Sequence, residues 1–394
     1  EPGQEVIDRL KKVYEGSVRP QDAVAIDRLL GLAAVQRGNL LFTSGVMGKE
    51  ADGGLPADPG RQIELVFQHL ITLAEMAGGD KNSIAHINVV LKDNVYRDQV
   101  NEVTIKHWPD ANNRPARHSE QGVTPPNAMI ECYMIGDVGV NSGKRTIYEI
   151  EGVSHTAPIP LGMRMGNVLF SATIHPRETG NSPEHPEEQI ALAFKNTQDL
   201  LALAGGTMDD IAHMNTFIKD ANVRRALNST IREIFPEDTD RPARHTYQVP
   251  MNGNAAFNLE FIAMLGGENR TIYEIPGVSH NAPIPLAVKK GNMLFSSTVM
   301  GRERDTRMVP EDPQERIDLA LQNIKDIVAL AGGTPENIAR IKVVIASDVL
   351  REQVNVAWLK AFPNEAARPA RGISEAFIPD EALFECDFVA VLDK

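Results

Sequence analysis

The sequence predicts an α+β protein built from three tandem copies of one β-β-α-β-α-β-β module, closed into a covalent pseudo-trimer with inner sheets and outer helices. Three observations carry that prediction. The run Arg-Pro-Ala-Arg occurs three times and ends at Arg117, Arg244 and Arg371, each 127 residues from the next. Other landmarks keep this step: Ala77-Gly78-Gly79, Ala204-Gly205-Gly206 and Ala331-Gly332-Gly333; Asn101, Asn228 and Asn355; Trp108-Pro109, Phe235-Pro236 and Phe362-Pro363. Within each copy the apolar pattern switches between strand and helix periods in one order. A repeat this long exceeds a solenoid or propeller unit, so each copy is read as a complete small domain.

The second copy displays the elements most clearly. Leu161 to Thr173 reads as a strand pair pivoting on Gly166-Asn167, a turn dipeptide between apolar residues. From Glu187 to Leu203, Ile190, Leu192, Ala193, Leu200, Leu201 and Leu203 are spaced for a helix face, and Gly205-Gly206 stops the helix. A strand follows at Ile211 to Ile218. A second helix over Val223 to Ile234 ends at Phe235-Pro236, because proline is tolerated only in the first turn. Two further strands span His245 to Val249 and Phe257 to Leu265. Two helices cover one face of such a sheet, and the other two copies supply cover for the second face. Glycine-rich polar linkers, Gly136 to Gly143 and Gly266-Gly267-Glu268-Asn269, separate the copies. The expected divisions are an N-terminal extension over 1–24, with an amphipathic helix at Glu5 to Tyr14, and domains over 25–140, 141–267 and 268–394.

Composition narrows the function. Of 394 residues 42% are hydrophobic, and the formal net charge is −13 with no Lys/Arg run, which argues against a nucleic-acid groove. No stretch approaches the roughly 18 consecutive apolar residues that span a bilayer, so no membrane partner is expected. Cys132 and Cys386 occupy the same place in copies 1 and 3 and are read as separate buried strand thiols, in keeping with a cytoplasmic setting. No His/Cys/Asp cluster has metal-ligand spacing, His155 and His280 included.

With these residues on the page, the repeat resembles the RidA/YjgF enamine/imine deaminases, small proteins that assemble as trimers with sites at subunit interfaces. The resemblance rests on the Gly-Asn hairpin with Leu41-Phe42-Thr43-Ser44-Gly45 after it, the Ala-Gly-Gly helix end, the Asn of the second helix, and Pro-Ala-Arg before an apolar strand carrying Glu. It implies the chorismate-mutase-like (YjgF-like) fold, no cofactor and no metal. It also implies that Arg117, Arg244 and Arg371 bind a substrate carboxylate and that Glu131 and Glu385 are the active-site glutamates. Ser44 and Ser297 fall at the family's hairpin serine, and Asn101, Asn228 and Asn355 are read as lining the cleft or bonding a nearby loop. Copy 2 departs, with Asn258 for the glutamate and Ala172 for the serine. Leu161 and Leu286 replace the family's aromatic residue, and Ser119, Thr246 and Ile373 its cysteine.

An arginine fork grips a carboxylate bidentately, and a glutamate can hold the water that attacks a C=N carbon. The expected function is therefore hydrolytic deamination of a small imine or enamine of a carboxylated metabolite, with at least one cleft degenerate. The alternative is a non-catalytic protein that binds or senses a small acid in the same clefts. Endoribonuclease activity, attributed to some relatives, ranks last because the chain is acidic. The pseudo-trimer would be a monomer or part of a higher oligomer.

Overall fold

The computed structural model describes residues 23–26, 32–251, 253–378 and 383–393; the helix expected at Glu5 to Tyr14 lies outside them. Copy 1 runs β1 (Ala23–Ile26), β2 (Leu32–Arg37), β3 (Leu40–Thr43), the short β4 (Val46–Met47), α1 (Pro59–Met76), β5 (Ile84–Leu91), α2 (Arg97–His107), β6 (Ala116–Gln121) and β7 (Ile130–Asp137). Copy 2 runs β8 (Arg145–Tyr148), β9 (Gly162–Met165), β10 (Val168–Ser171), α3 (Pro186–Leu203), β11 (Ile211–Ile218), α4 (Ala221–Ile234), β12 (Ala243–Gln248) and β13 (Phe257–Met264). Copy 3 runs β14 (Thr271–Tyr273), β15 (Ala287–Lys290), β16 (Met293–Ser296), α5 (Pro313–Leu330), β17 (Ile338–Ile345), α6 (Arg351–Ala361), β18 (Ala370–Glu375) and β19 (Phe384–Val391).

The strand orders correspond: β1-β2-β3-β7-β5-β6, β8-β9-β10-β13-β11-β12 and β14-β15-β16-β19-β17-β18. Only β5/β6, β11/β12 and β17/β18 pair in parallel, each pair joined across a helix. The predicted order holds, with two additions: an edge strand, β1, β8 or β14, precedes each hairpin, and in copy 1 the short β4 pairs with β7. The segments Arg145–Tyr148 and Thr271–Tyr273 are short and only partly buried, so they lack the alternation that marks a half-buried strand.

Local chemistry places these elements. The hairpin glycines Gly38, Gly166 and Gly291 have φ of 57°, 61° and 60°, the left-handed conformation such a two-residue turn requires. At the start of α1, Asp58 accepts a hydrogen bond from the Arg61 N–H and Pro59 takes the first turn, where its missing donor costs nothing. Gly78, Gly205 and Gly332 end the first helix of each copy at φ of 87°, 78° and 83°. The N–H of the next glycine then bonds back to Ala74, Leu201 or Val328, which satisfies an orphan carbonyl.

Each sheet packs its outer face on its own two helices, giving three separate cores. The inner faces meet in one further core drawn from all three copies, with Phe42 and Ile135 from the first, Met163 and Phe170 from the second, and Phe295 and Val389 from the third. Ala85, Ala212 and Ala339, with Ala116, Ala243 and Ala370, are buried here; their small side chains let the sheets approach closely. Linker arginines tie neighbouring copies together: Arg145 Nη1 donates to the Asn113 carbonyl, and Arg270 Nη1 to the Ile211 carbonyl.

Candidate active site at three unlike seams

The copies close head to tail. The Arg244 N–H of copy 2 donates to Ser297 Oγ of copy 3 at 2.9 Å, and the Arg371 N–H of copy 3 donates to Ser44 Oγ of copy 1 at 2.8 Å. At the remaining seam, His118 of copy 1 meets Thr173 of copy 2, Nδ1 to Oγ1 at 2.6 Å. Each seam thus pairs the Pro-Ala-Arg strand of one copy with the hairpin end of the next.

The three arginines are held differently. Arg117 donates from Nη1 to Thr104 Oγ1 at 2.6 Å and from Nη2 to Asn101 Oδ1. Arg244 donates from Nη2 to Asn228 Oδ1 at 2.6 Å, while its buried Nε and Nη1 have no hydrogen-bond partner. Ile231 and Trp358 stand where copy 1 has Thr104, so Arg371 lies over the Trp358 ring, 5.0 Å from its centroid. Asn355 instead points toward Glu352, Nδ2 to Oε2 at 3.5 Å, so the arginine-asparagine bond seen twice is not made a third time. Burial lowers all three guanidinium pKa values, to about 10 for Arg117 and Arg371 and about 9 for Arg244, where Arg224, Arg232 and Arg241 add to the effect. All three remain cations near neutrality. Ser44 and Ser297 accept backbone bonds across their seams and keep their own O–H as a donor.

The acidic partners also differ. At the Arg371 seam, Glu131 is buried, and burial raises its pKa to about 7 despite the Tyr133 hydrogen bond, 2.9 Å from OH to Oε2, and the fields of Arg351 and Lys342. Its carboxylate lies against Gly45, where an added Cβ would sit 1.9 Å from Oε1. The Gly45 N–H bonds to the Arg371 carbonyl at 3.3 Å, so arginine, glycine and glutamate converge. At the Arg244 seam, Glu385 Oε2 lies 3.6 Å from His245 Nε2. His280, kept neutral by burial with a pKa of about 4, donates from Nε2 to the Thr298 carbonyl at 2.6 Å.

The Arg117 seam has no glutamate at this place. Asn258 Oδ1 instead accepts from His175 Nδ1 at 2.8 Å, and the His155 ring packs edge-on against His175 at 5.3 Å. Burial holds His155 at about 3 and His175 at about 4, which makes both neutral rings near pH 7; donation from Nδ1 leaves His175 Nε2 as an acceptor. Sequence reasoning missed His175. The available signal was its replacement of Met47 and Met300 after the hairpins of the other two copies.

Cys132 and Cys386 are buried free thiols with raised pKa values. Among the described residues no group of three or more His, Cys, Asp or Glu side chains could hold a metal ion, and no helix is long and apolar enough to cross a membrane.

Three α+β domains on one chain, with an arginine and a polar hairpin end at every seam, define a tandem protein of the RidA/YjgF type. The Endoribonuclease L-PSP family matches the chain three times, over residues 30–136, 156–265 and 280–392, and the chain belongs to that family. It is similar to the 3-aminoacrylate deaminase RutC of Acinetobacter baylyi, 28% identical over 96 residues that cover 24% of this chain and 75% of RutC. It is also similar to the RutC family protein UK114 of Drosophila melanogaster, 33% identical over 94 residues covering 23% of this chain and 65% of UK114. Among solved structures, E. coli TdcF with bound serine is 26% identical, with a TM-score of 0.30, over 31% of this chain and 98% of TdcF.

Proposed function

We propose that the chain is a hydrolytic deaminase of a small imine or enamine bearing a carboxylate, and that the Arg371 seam is its working site. The supporting observation is the Glu131 carboxyl held near pH 7 beside Gly45, whose N–H bonds the Arg371 carbonyl. Arg371 binds the substrate carboxylate. Ionised Glu131 takes a proton from a water as that water's oxygen bonds to the C=N carbon. With the substrate entering as the protonated imine, the carbinolamine nitrogen takes the proton back from Glu131, the C–N bond breaks as the hydroxyl proton passes to solvent, and ammonia leaves a carbonyl product. A carboxyl group with a pKa near the working pH serves both proton transfers, and the arginine contributes orientation. The deaminase named among the relatives supports this chemistry.

The Arg244 seam, with Glu385 and Ser297, is a second cleft of the same kind. The Arg117 seam, with Asn258 and Ala172, binds an acid without the carboxylate route. Ammonia release from 2-iminobutyrate or 2-aminoacrylate generated in situ tests the assignment. Arg371→Ala is expected to cut turnover most and Arg117→Ala least. If Arg371→Ala, Arg244→Ala and Arg117→Ala all turn over at the wild-type rate, the deaminase reading fails for these substrates.

A further inference from the structure

Between the three sheets lies a cavity of about 70 Å³, lined by all three copies but by none of Arg117, Arg244 and Arg371. This exceeds the space of a single water and suffices for a small ion. Equivalent positions face it from each copy: His86, His213 and Arg340 on one level, and Asn88, Asn215 and Lys342 two residues further along the same strands. Both permanent cations therefore come from copy 3 alone, two residues apart on one strand face and so about 7 Å apart at the backbone.

The cavity's carboxylates lie beside histidines, although Glu260 Oε2 makes no hydrogen bond. Asp387 Oδ2 is 2.6 Å from His245 Nδ1 and 3.2 Å from the Tyr247 hydroxyl. Glu260 Oε1 accepts from Asn215 Nδ2 at 2.7 Å, and its Oε2 lies 3.6 Å from His86 Nε2 and 3.7 Å from His118 Nδ1. Arg340 and Lys342 have no such partner among the described residues. Arg340 forms no hydrogen bond and no ion pair, and feels the Asp387 and Glu260 carboxylates at longer range. Lys342 Nζ rests over the Tyr247 ring at 4.3 Å without a hydrogen bond. Asn88 Oδ1 is buried without a partner, so its carboxamide can turn its N–H₂ group inward.

We propose that this axial chamber binds a small oxyanion, held by Arg340 and Lys342. The half-buried guanidinium and ammonium face the cavity with no hydrogen-bond acceptor among the described residues, so a small anion entering it would gain two charge-assisted donors. The site fits a ligand of a few heavy atoms presenting two or three oxygens, either a carboxylate or a phosphate.

Titration calorimetry on the full chain at constant ionic strength, with inorganic phosphate and malonate in separate runs, tests the proposal. The tighter of the two distinguishes phosphate from carboxylate. The double variant Arg340→His with Lys342→Asn installs what copies 1 and 2 already carry at these places. It is expected to weaken the bound anion at least about tenfold, while Arg244→Met leaves that binding event in place. Equal affinity and stoichiometry in wild type and double variant would overturn the proposal, as would absence of saturable binding by the wild type. Should the double variant fail to fold, wild-type crystals grown in selenate decide: anomalous density between Arg340 and Lys342 supports the site, and its absence there overturns it.

Discussion

At the scale of single residues, Glu131 makes the sharpest predictions. Turnover should rise with pH through about 7 and then level, because the ionised carboxylate takes the proton. In Glu131→Gln that inflection should vanish and the rate should fall by roughly 10²–10⁴, as a pH series of initial rates reads directly. Stability carries the opposite sign. The folded chain retains the Glu131 proton where the unfolded chain has lost it, so wild-type stability falls as pH rises from 4.5 to about 7. Glu131→Gln should remove that loss, on the order of 3 kcal/mol, so the urea midpoints of the two proteins should diverge as pH rises from 4.5 to about 7 and keep a constant gap above it. Arg244 is a second case: two of its buried nitrogens lack partners. Arg244→Met should leave the urea midpoint unchanged or raise stability by about 1–4 kcal/mol, while abolishing acid binding at its seam. The arginines before each proline are structural: Arg114, Arg241 and Arg368 all donate from Nε to the carbonyl of Trp108, Phe235 or Phe362. The raised pKa of Glu131 was not legible in the sequence, because it depends on what a different strand position carries.

At the scale of elements, one exchange across the seams accounts for that pKa. His118 of copy 1 faces Glu260 of copy 2, and His245 of copy 2 faces Asp387 of copy 3. At the third seam the same two places are Gly372 and Tyr133, and a Cβ on Gly372 would lie 2.6 Å from Tyr133 Cε1. A histidine-acid contact has become a ring packed against a glycine. His245 therefore lies within ion-pair reach of Glu385, whereas Glu131 meets only a phenol. Residues 142 or 239 apart in the chain take part in this exchange, so no local pattern announces it. The repeating elements themselves were legible, because periodicity and glycine stops are local; the edge strands were not. The serine bonds across the seams give a further test. Ser297→Ala should cost about 1 kcal/mol by removing the acceptor for the Arg244 N–H, and Ala172→Ser should gain a similar amount at the Arg117 seam. Urea denaturation of the two variants should show shifts of opposite sign.

At the scale of the whole molecule, the three outer cores belong to single copies, but the inner core belongs to none of them. A copy that left would expose its inner sheet face and strip cover from the other two, so thermal unfolding should be one calorimetric transition rather than three. The repeat step made the three domains legible, and the sheets' bare faces made their closure legible. The cations at the centre were hidden, because Arg340 and Lys342 acquire meaning only when set against His86, His213, Asn88 and Asn215 across the axis.

The common inner core also separates assembling the particle from keeping it. During folding the linkers hold each lobe at high effective concentration beside the next. Once the lobes have docked, apolar burial does the holding. Cleavage at a site-specific protease sequence inserted beside the exposed Glu268 should yield two polypeptides on a denaturing gel that still elute from a sizing column as one body. Refolded from urea after that cut, the fragments should recover activity only with rising protein concentration.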